Sequence, residues 1–250
     1  MIDRLRSIAL IDDNVLAVFM YGSFTKNEGD AYSDIEFYVF LKEMVGFSGE
    51  KWVSQIHPVA MYFTNEYGSE VAIFENMIRG EFHFMSSSEM NVILSWEEAV
   101  EYSDFDRMNL VDKEGCLSAI LNQIKVTSPD RATGENILWL GHSLLNSLLT
   151  SKNLMQRGEW AHAHQNMCGT QKYLLWLIRI ATQQTGHWES PTKCLEKDLD
   201  SVWYDEFKST ISDLDPDRLG EGYENAKRIA AILFDELKIP NELKDLLHRM

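Results

Sequence analysis

Up to about residue 110, apolar positions come in short β-branched and aromatic runs broken by polar turns. Val15–Tyr21 ends at Gly22-Ser23, and Ile35–Leu41 follows after a polar connector that contains glycine. Val59–Thr64, Val71–Phe74 and Ile78–Met85 continue the pattern, with Asn65-Glu-Tyr-Gly68 as the turn between the first two. These runs predict four or five strands in one sheet.

From about Asp112 the apolar spacing lengthens to the 3.6-residue helical period. Ile137, Gly141, Leu144 and Leu148 fall on one stripe, as do Leu174, Leu177, Ile178 and Ala181, and again Ala226, Ile229, Ala230 and Leu233. Thr127-Ser-Pro-Asp130, Arg157-Gly158, Gly186–Pro191 and Asp215-Pro-Asp217 punctuate these segments as helix ends and caps. The chain therefore reads as α/β (α+β). A mixed-sheet domain over residues 1–109 is followed by an all-α bundle of about five helices over 110–250.

Composition narrows the function classes. The 250 residues suffice for two modest domains. With 45% hydrophobic and 25% charged residues the chain is globular, and no run approaches the ~20 apolar residues of a membrane span. Net charge is −16, and residues 1–108 account for −12 of it, with 7 Lys and Arg against 19 Asp and Glu. Nucleic acid requires clustered basic side chains, so a nucleic-acid partner is disfavoured. A divalent metal or a cationic small molecule suits the charge, as does the plain alternative that excess acid keeps the protein soluble. Cys116, Cys168 and Cys194 form neither a disulfide framework nor a CxxC pair. The apolar run at Ser7–Ile11 is too short for a signal peptide, and a cytoplasmic location is expected.

The chemistry concentrates between Gly22 and Glu36. In a strand alternate side chains share a face, so Asp34 and Glu36 project together while Ile35 and Phe37 point to the core. Alone, such a pair is the solvated side of an amphipathic strand. Preceded by a strand and a Gly22-Ser23 turn, it becomes a seat for Mg2+, whose ligands are carboxylates, waters and substrate phosphates. The Gly22 and Ser23 amides and the Ser23 hydroxyl are placed to hold phosphate oxygens. A third acid is expected from Arg79, Glu81 and His83, which alternate with Gly80, Phe82 and Phe84. Glu81 could bind metal or take a proton from an attacking hydroxyl, with Glu70 and Glu75 as rivals.

Gly22-Ser23 followed by Ser33-Asp34-Ile-Glu36 resembles the signature of the nucleotidyltransferase superfamily. Met20–Lys26, Tyr32–Phe37, Asn65–Gly68 and Ile78–Phe84 together resemble the lincosamide nucleotidyltransferases of the two-domain type. The likeness is strong over residues 15–85 and weak, mostly in helical pattern, beyond about residue 110. It implies transfer of AMP from ATP to a hydroxyl of lincomycin or clindamycin, with pyrophosphate released. By position, Asp34, Glu36 and Glu81 would be the catalytic, Mg2+-holding acids, with Glu81 also the base. Gly22, Ser23, Lys26 and Ser33 would bind the nucleotide, and a homodimer is compatible with the family. Two positions depart from the superfamily pattern: Glu36 replaces the usual second Asp, and Lys26 the usual Arg, which alone makes a bidentate fork.

An aminoglycoside acceptor, or a non-catalytic partner protein of the same fold, remain alternatives. His162 and His164 lie two apart on a helix, diverge, and read as surface residues. Trp139, Trp160, Trp176 and Trp188 read as core packing rather than a drug cleft, and Asp112-Lys-Glu and Asp213–Asp217 as caps and turns.

Overall fold

A computed structural model describes residues 1–96, 104–124 and 129–250, which divide into a sheet unit, Met1–Pro129, and a helical unit, Asp130–Met250. Thr127 and Ser128 of the expected capping segment lie outside the described residues. In the sheet unit, α1 (Ile2–Ile11) precedes β1 (Val15–Tyr21), β2 (Ile35–Leu41), α2 (Gly49–Val53), β3 (Val59–Thr64), β4 (Glu70–Phe74) and β5 (Arg79–Ser86). α3 (Phe105–Met108), β6 (Asn109–Asp112) and α4 (Cys116–Leu121) follow. The strands form one sheet in the order β3-β4-β5-β2-β1-β6. β2 and β5 run parallel, and the remaining neighbours are antiparallel.

β1 and β2 are covered on both faces, which is why both read as near-continuous apolar runs. On one face Leu5, Ile8 and Ala9 of α1 and Trp52 and Val53 of α2 share a core with Val18, Met20, Phe37, Val39 and Phe82. On the other, Ala17, Phe19, Tyr38 and Phe40 lie under Met90, Ile93 and the α4 residues Leu117, Ile120 and Leu121. That second cluster ends at Tyr21, Tyr38 and Met85, and the same face then turns polar. The polar end carries the candidate site.

β1, β2 and β3 form over the predicted spans. The expected junction at 109/110 differs from the structure, because β6 starts there and pairs with β1 through Ala17–Asp112 and Val18–Val111. Four residues are too few to show an alternation, so this sixth strand had no periodic signal. The compact units divide instead after Pro129, which places α4 with the sheet.

The helical unit contains α5 (Gly134–Gln156), α6 (Trp160–Ala181), α7 (Leu195–Asp198), α8 (Ser201–Lys208), α9 (Pro216–Glu236) and α10 (Asn241–His248). The predicted stripes of α5, α6 and α9 meet in one core that includes Leu144, Leu148, Leu174, Ile178, Ala226, Ile229 and Leu233. Asp215 caps α9 by accepting from the amides of Asp217 and Arg218, and Gly158 takes a left-handed φ of 73° after α5. No helix among the described residues is long and apolar enough to cross a membrane.

Arg179 of α6 is fully buried and still satisfied. Its Nε donates to Pro191 O at 2.8 Å, Nη2 to Lys193 O at 2.9 Å, and Nη1 to Gln184 O at 2.8 Å and Asp198 Oδ2 at 2.9 Å. The irregular segment between α6 and α8 is thereby wrapped around one cation. Burial pulls the Asp198 carboxyl upward, but hydrogen bonds from Arg179 and His187 and their charges outweigh it, so its pKa lies below the ordinary aspartate value. Arg179→Met should therefore destabilise the protein by about 3–5 kcal/mol in urea titration. Because the native pKa is depressed, the pairing contributes fully above the ordinary aspartate range and is lost as pH falls through the native value. The gap between wild type and variant should narrow in acid. A gap that is negligible at neutral pH, or constant with pH, contradicts this role.

Candidate active site

The Gly22-Ser23 turn begins where β1 ends. Gly22 has φ 82°, a left-handed value that an L side chain resists, and a Cβ built there would lie 1.7 Å from Glu36 Oε2. The glycine is thus required by backbone conformation, and a side chain in its place would also push the Glu36 carboxylate aside. The single 3₁₀ turn Ser23–Lys26 is fixed by Thr25, whose backbone N and Oγ1 both donate to Gly22 O, at 3.2 and 2.7 Å. Ser23 and Lys26 are half-buried on this turn. Ser33 lies on the connector into β2, where its hydroxyl donates to Asp30 Oδ1 and accepts from Asp30 N, both at 3.0 Å.

Pairing then assembles the acids. Parallel alignment of β2 and β5 puts Glu36 directly beside Glu81 and Tyr38 beside His83, while β1 puts Tyr21 on the other flank of Glu36. Asp34 precedes β2 by one residue on the same face, next to Arg79 at the start of β5. Arg79 bridges the row: Nη1 donates to Asp34 Oδ2 at 2.9 Å and Nη2 to Glu81 Oε2 at 2.5 Å. Glu70 pairs with Phe82 and so occupies the opposite face, where the Tyr62 hydroxyl donates to it beside Gly49. That geometry separates the rival Glu70 from the other acids. Glu75 lies in the turn after β4, its amide bonded to Pro58 O.

His83 closes the row. Its Nε2 is 3.1 Å from the Tyr21 hydroxyl, 3.4 Å from Ser69 Oγ and 3.5 Å from Glu81 Oε1, and its ring stacks on Tyr38 at 4.1 Å. Burial raises the Glu81 carboxyl, but hydrogen bonds from Arg79 and Ser69 and the neighbouring positive charges outweigh it and leave it below its ordinary value. Burial lowers the His83 pKa despite the attraction of Glu81. Burial and then Glu81 push Tyr38 up to about 12, and Tyr21 is raised further by burial, Glu81 and Glu36. Tyr21 and Ser69 had no role in the sequence reading. For Tyr21 the signal was present in the register that β1 would take against β2; for Ser69 there was none, since it precedes β4.

The donor chemistry of Asp34, Glu36 and Glu81, all carboxylate oxygens, fits Mg2+. Among the described residues, however, no three acidic, His or Cys side chains stand close enough to hold a metal as arranged. The guanidinium of Arg79 occupies the interval between Asp34 and Glu81. His162 is exposed, as expected, and pairs with Glu159, whereas His164 is half-buried with its Nε2 3.1 Å from Ser212 O. Trp160, Trp176 and Trp188 pack on the helical core, whereas Trp139 is exposed.

Gly22→Ala should lower unfolding stability by about 1–3 kcal/mol, the scale of a strained backbone position, and displace Glu36. An unchanged urea midpoint would contradict the backbone constraint on this glycine.

Residues 133–248 match the family model of the lincosamide nucleotidyltransferase-like C-terminal domain. No curated protein matches the chain by sequence. Among solved structures, an aminoglycoside 6-adenyltransferase from Bacillus subtilis is similar at 14% identity and a TM-score of 0.45, covering 100% of this chain and 95% of that one. A nucleotidyltransferase-like protein from Exiguobacterium sibiricum 255-15 is similar at 13% identity and a TM-score of 0.38, covering 97% and 80%. Both likenesses are too distant to fix an activity. The family match is confined to the helical half, which is similar to the C-terminal domain of the lincosamide nucleotidyltransferase-like proteins.

Proposed function

We propose that the protein is a nucleotidyltransferase that moves AMP from ATP to a hydroxyl of a lincosamide such as lincomycin or clindamycin, and so confers resistance to it. The observation that carries this reading is the row Asp34, Glu36 and Glu81, brought abreast beside the Gly22-Ser23 turn by the β2–β5 register. The match of residues 133–248 to the lincosamide nucleotidyltransferase-like C-terminal domain supports it.

In this reading Asp34, Glu36 and Glu81 would hold Mg2+, which when bound supplies charge neutralisation at the phosphates. Gly22 and Ser23 would present backbone amides and a hydroxyl to the phosphate oxygens, Lys26 a charge, and Ser33 would keep the approach to Asp34 in shape. The acceptor hydroxyl attacks the α-phosphorus, the bond from that phosphorus to the α–β bridging oxygen breaks, and pyrophosphate leaves. The hydroxyl proton passes to Glu81, whose depressed pKa leaves it ionised at neutral pH, the state a base must start from. Positioning contributes as much as proton transfer in such a displacement.

The acceptor class is favoured by the surface next to the acids. Phe63 aligns with Val71, which aligns with Glu81, and Met61 aligns with Ile73, which aligns with Arg79. Met61 and Phe63 are exposed, so the acid row continues into an open apolar strip on the same face. An acceptor with both an apolar side and an ammonium group matches that surface better than a polycation does.

Incubation of the purified protein with lincomycin, ATP and Mg2+ should add one AMP unit to the drug by mass spectrometry, and EDTA should prevent it. Turnover of aminoglycosides alone would overturn the acceptor assignment. Asp34→Asn should abolish turnover in a folded protein, and undiminished activity would contradict the site. Glu81→Gln should reduce kcat by roughly 10²–10⁴; a change confined to KM would make Glu81 a binding residue instead of the base.

A further inference from the structure

Arg79 differs from Arg179 in what it holds. Arg179 is fully buried and donates chiefly to backbone carbonyls, so removing its contacts would expose unpaired groups in a core. Arg79 is 35% exposed, and its guanidinium donates to the side chains of Asp34 and Glu81. These are two of the three acids assigned above to the metal. The oxygens that accept from Arg79, Asp34 Oδ2 and Glu81 Oε2, are then engaged with a cation already.

A guanidinium and a divalent ion at that position would repel strongly, since both would lie within a few ångströms in a partly desolvated place. One must give way to the other. The half-buried side chain of Arg79 can rotate into solvent without breaking the core, because Gly80 and Phe82, not Arg79, face the packed side of β5. Once released, the planar fork of Arg79 is the group best matched to phosphate oxygens on the edge of the same row.

We infer that Arg79 is an exchangeable counter-cation of the acid row: it holds Asp34 and Glu81 together until a divalent cation takes them, and then binds the phosphates of the incoming nucleotide. The inference rests on the nucleotidyltransferase reading and deepens it. Arg79 acts as a positioning residue for the acids in one state and as a phosphate ligand in the other.

The test is titration of Mn2+ into the full chain, followed by electron paramagnetic resonance of the free ion, with and without α,β-methylene-ATP. Arg79→Met should bind Mn2+ alone about tenfold more tightly than wild type, and the Mn2+ complex of the analogue about tenfold more weakly, an ordinary size for coupling between adjacent sites. Arg79→Lys keeps the charge but loses the fork and should fall between the two in both titrations. If circular dichroism shows the methionine variant to be unfolded, the lysine variant decides, with Mn2+ binding a few-fold tighter than wild type expected. A prop with no exchange would give weaker Mn2+ binding on removal, and unchanged binding in either titration also overturns the inference. Asp34→Asn separates the two levels. If it alone loses Mn2+ while the Arg79 variants match wild type, the site reading stands and the exchange does not; if wild type itself binds no Mn2+, both fall.

Discussion

Like charge placed side by side is the constraint around which the sheet unit is built. The parallel register of β2 and β5 sets Glu36 beside Glu81, and Asp34 follows on the same face. Carboxylates so close raise one another's pKa unless a cation joins them. In this structure Arg79 supplies the joining charge, and the Glu81 carboxyl is correspondingly lowered. Gly22 leaves room for Glu36, while Tyr21, Tyr38 and His83 wall off one end of the row and join it to the apolar core. At the other end the Asp34 side chain is 43% exposed, and in the proposed reading the nucleotide and the acceptor reach the acids from there.

The two units use arginine in opposite ways. Arg179 is enclosed, its donors spread over three carbonyls and Asp198, and it fixes a long irregular segment against α6. Arg79 is half-open and serves charges that the proposed reaction needs. A buried cation with carbonyl partners is costly to move; a partly solvated one between carboxylates is weakly held once a stronger cation is present. Stability and exchange thus follow from the same side chain in different surroundings.

Much of this was legible in the sequence because its causes are local. Strands buried on both faces are continuous apolar runs, so β1 and β2 could be read to the residue. The alternation at Arg79, Glu81 and His83 marked a polar face on β5, and the helical stripes of α5, α6 and α9 were regular. What was not legible depends on pairing between distant segments. β6 is too short to carry a period and is a strand only because β1 offers it an edge. Glu70 and Glu81 looked interchangeable as acids until the β4–β5 register placed them on opposite faces. The role of Gly22 as space for Glu36, and the bridge from Arg79 to Asp34 across 45 residues, likewise exist only in the folded chain. The −12 balance of the first 108 residues pointed to a cation, but it could not say that the chain provides one of its own.

The central claim is that Asp34, Glu36 and Glu81 together receive a metal-bound nucleotide. The most direct measurement is a crystal structure grown with Mn2+ and α,β-methylene-ATP, with the ion located by its anomalous signal. The account predicts one anomalous peak within coordination distance of carboxylate oxygens in this row, with the α-phosphate beside the Gly22-Ser23 turn. Nucleotide bound elsewhere, or bound at the turn with the Arg79 bridge intact and no ion among the acids, would contradict it.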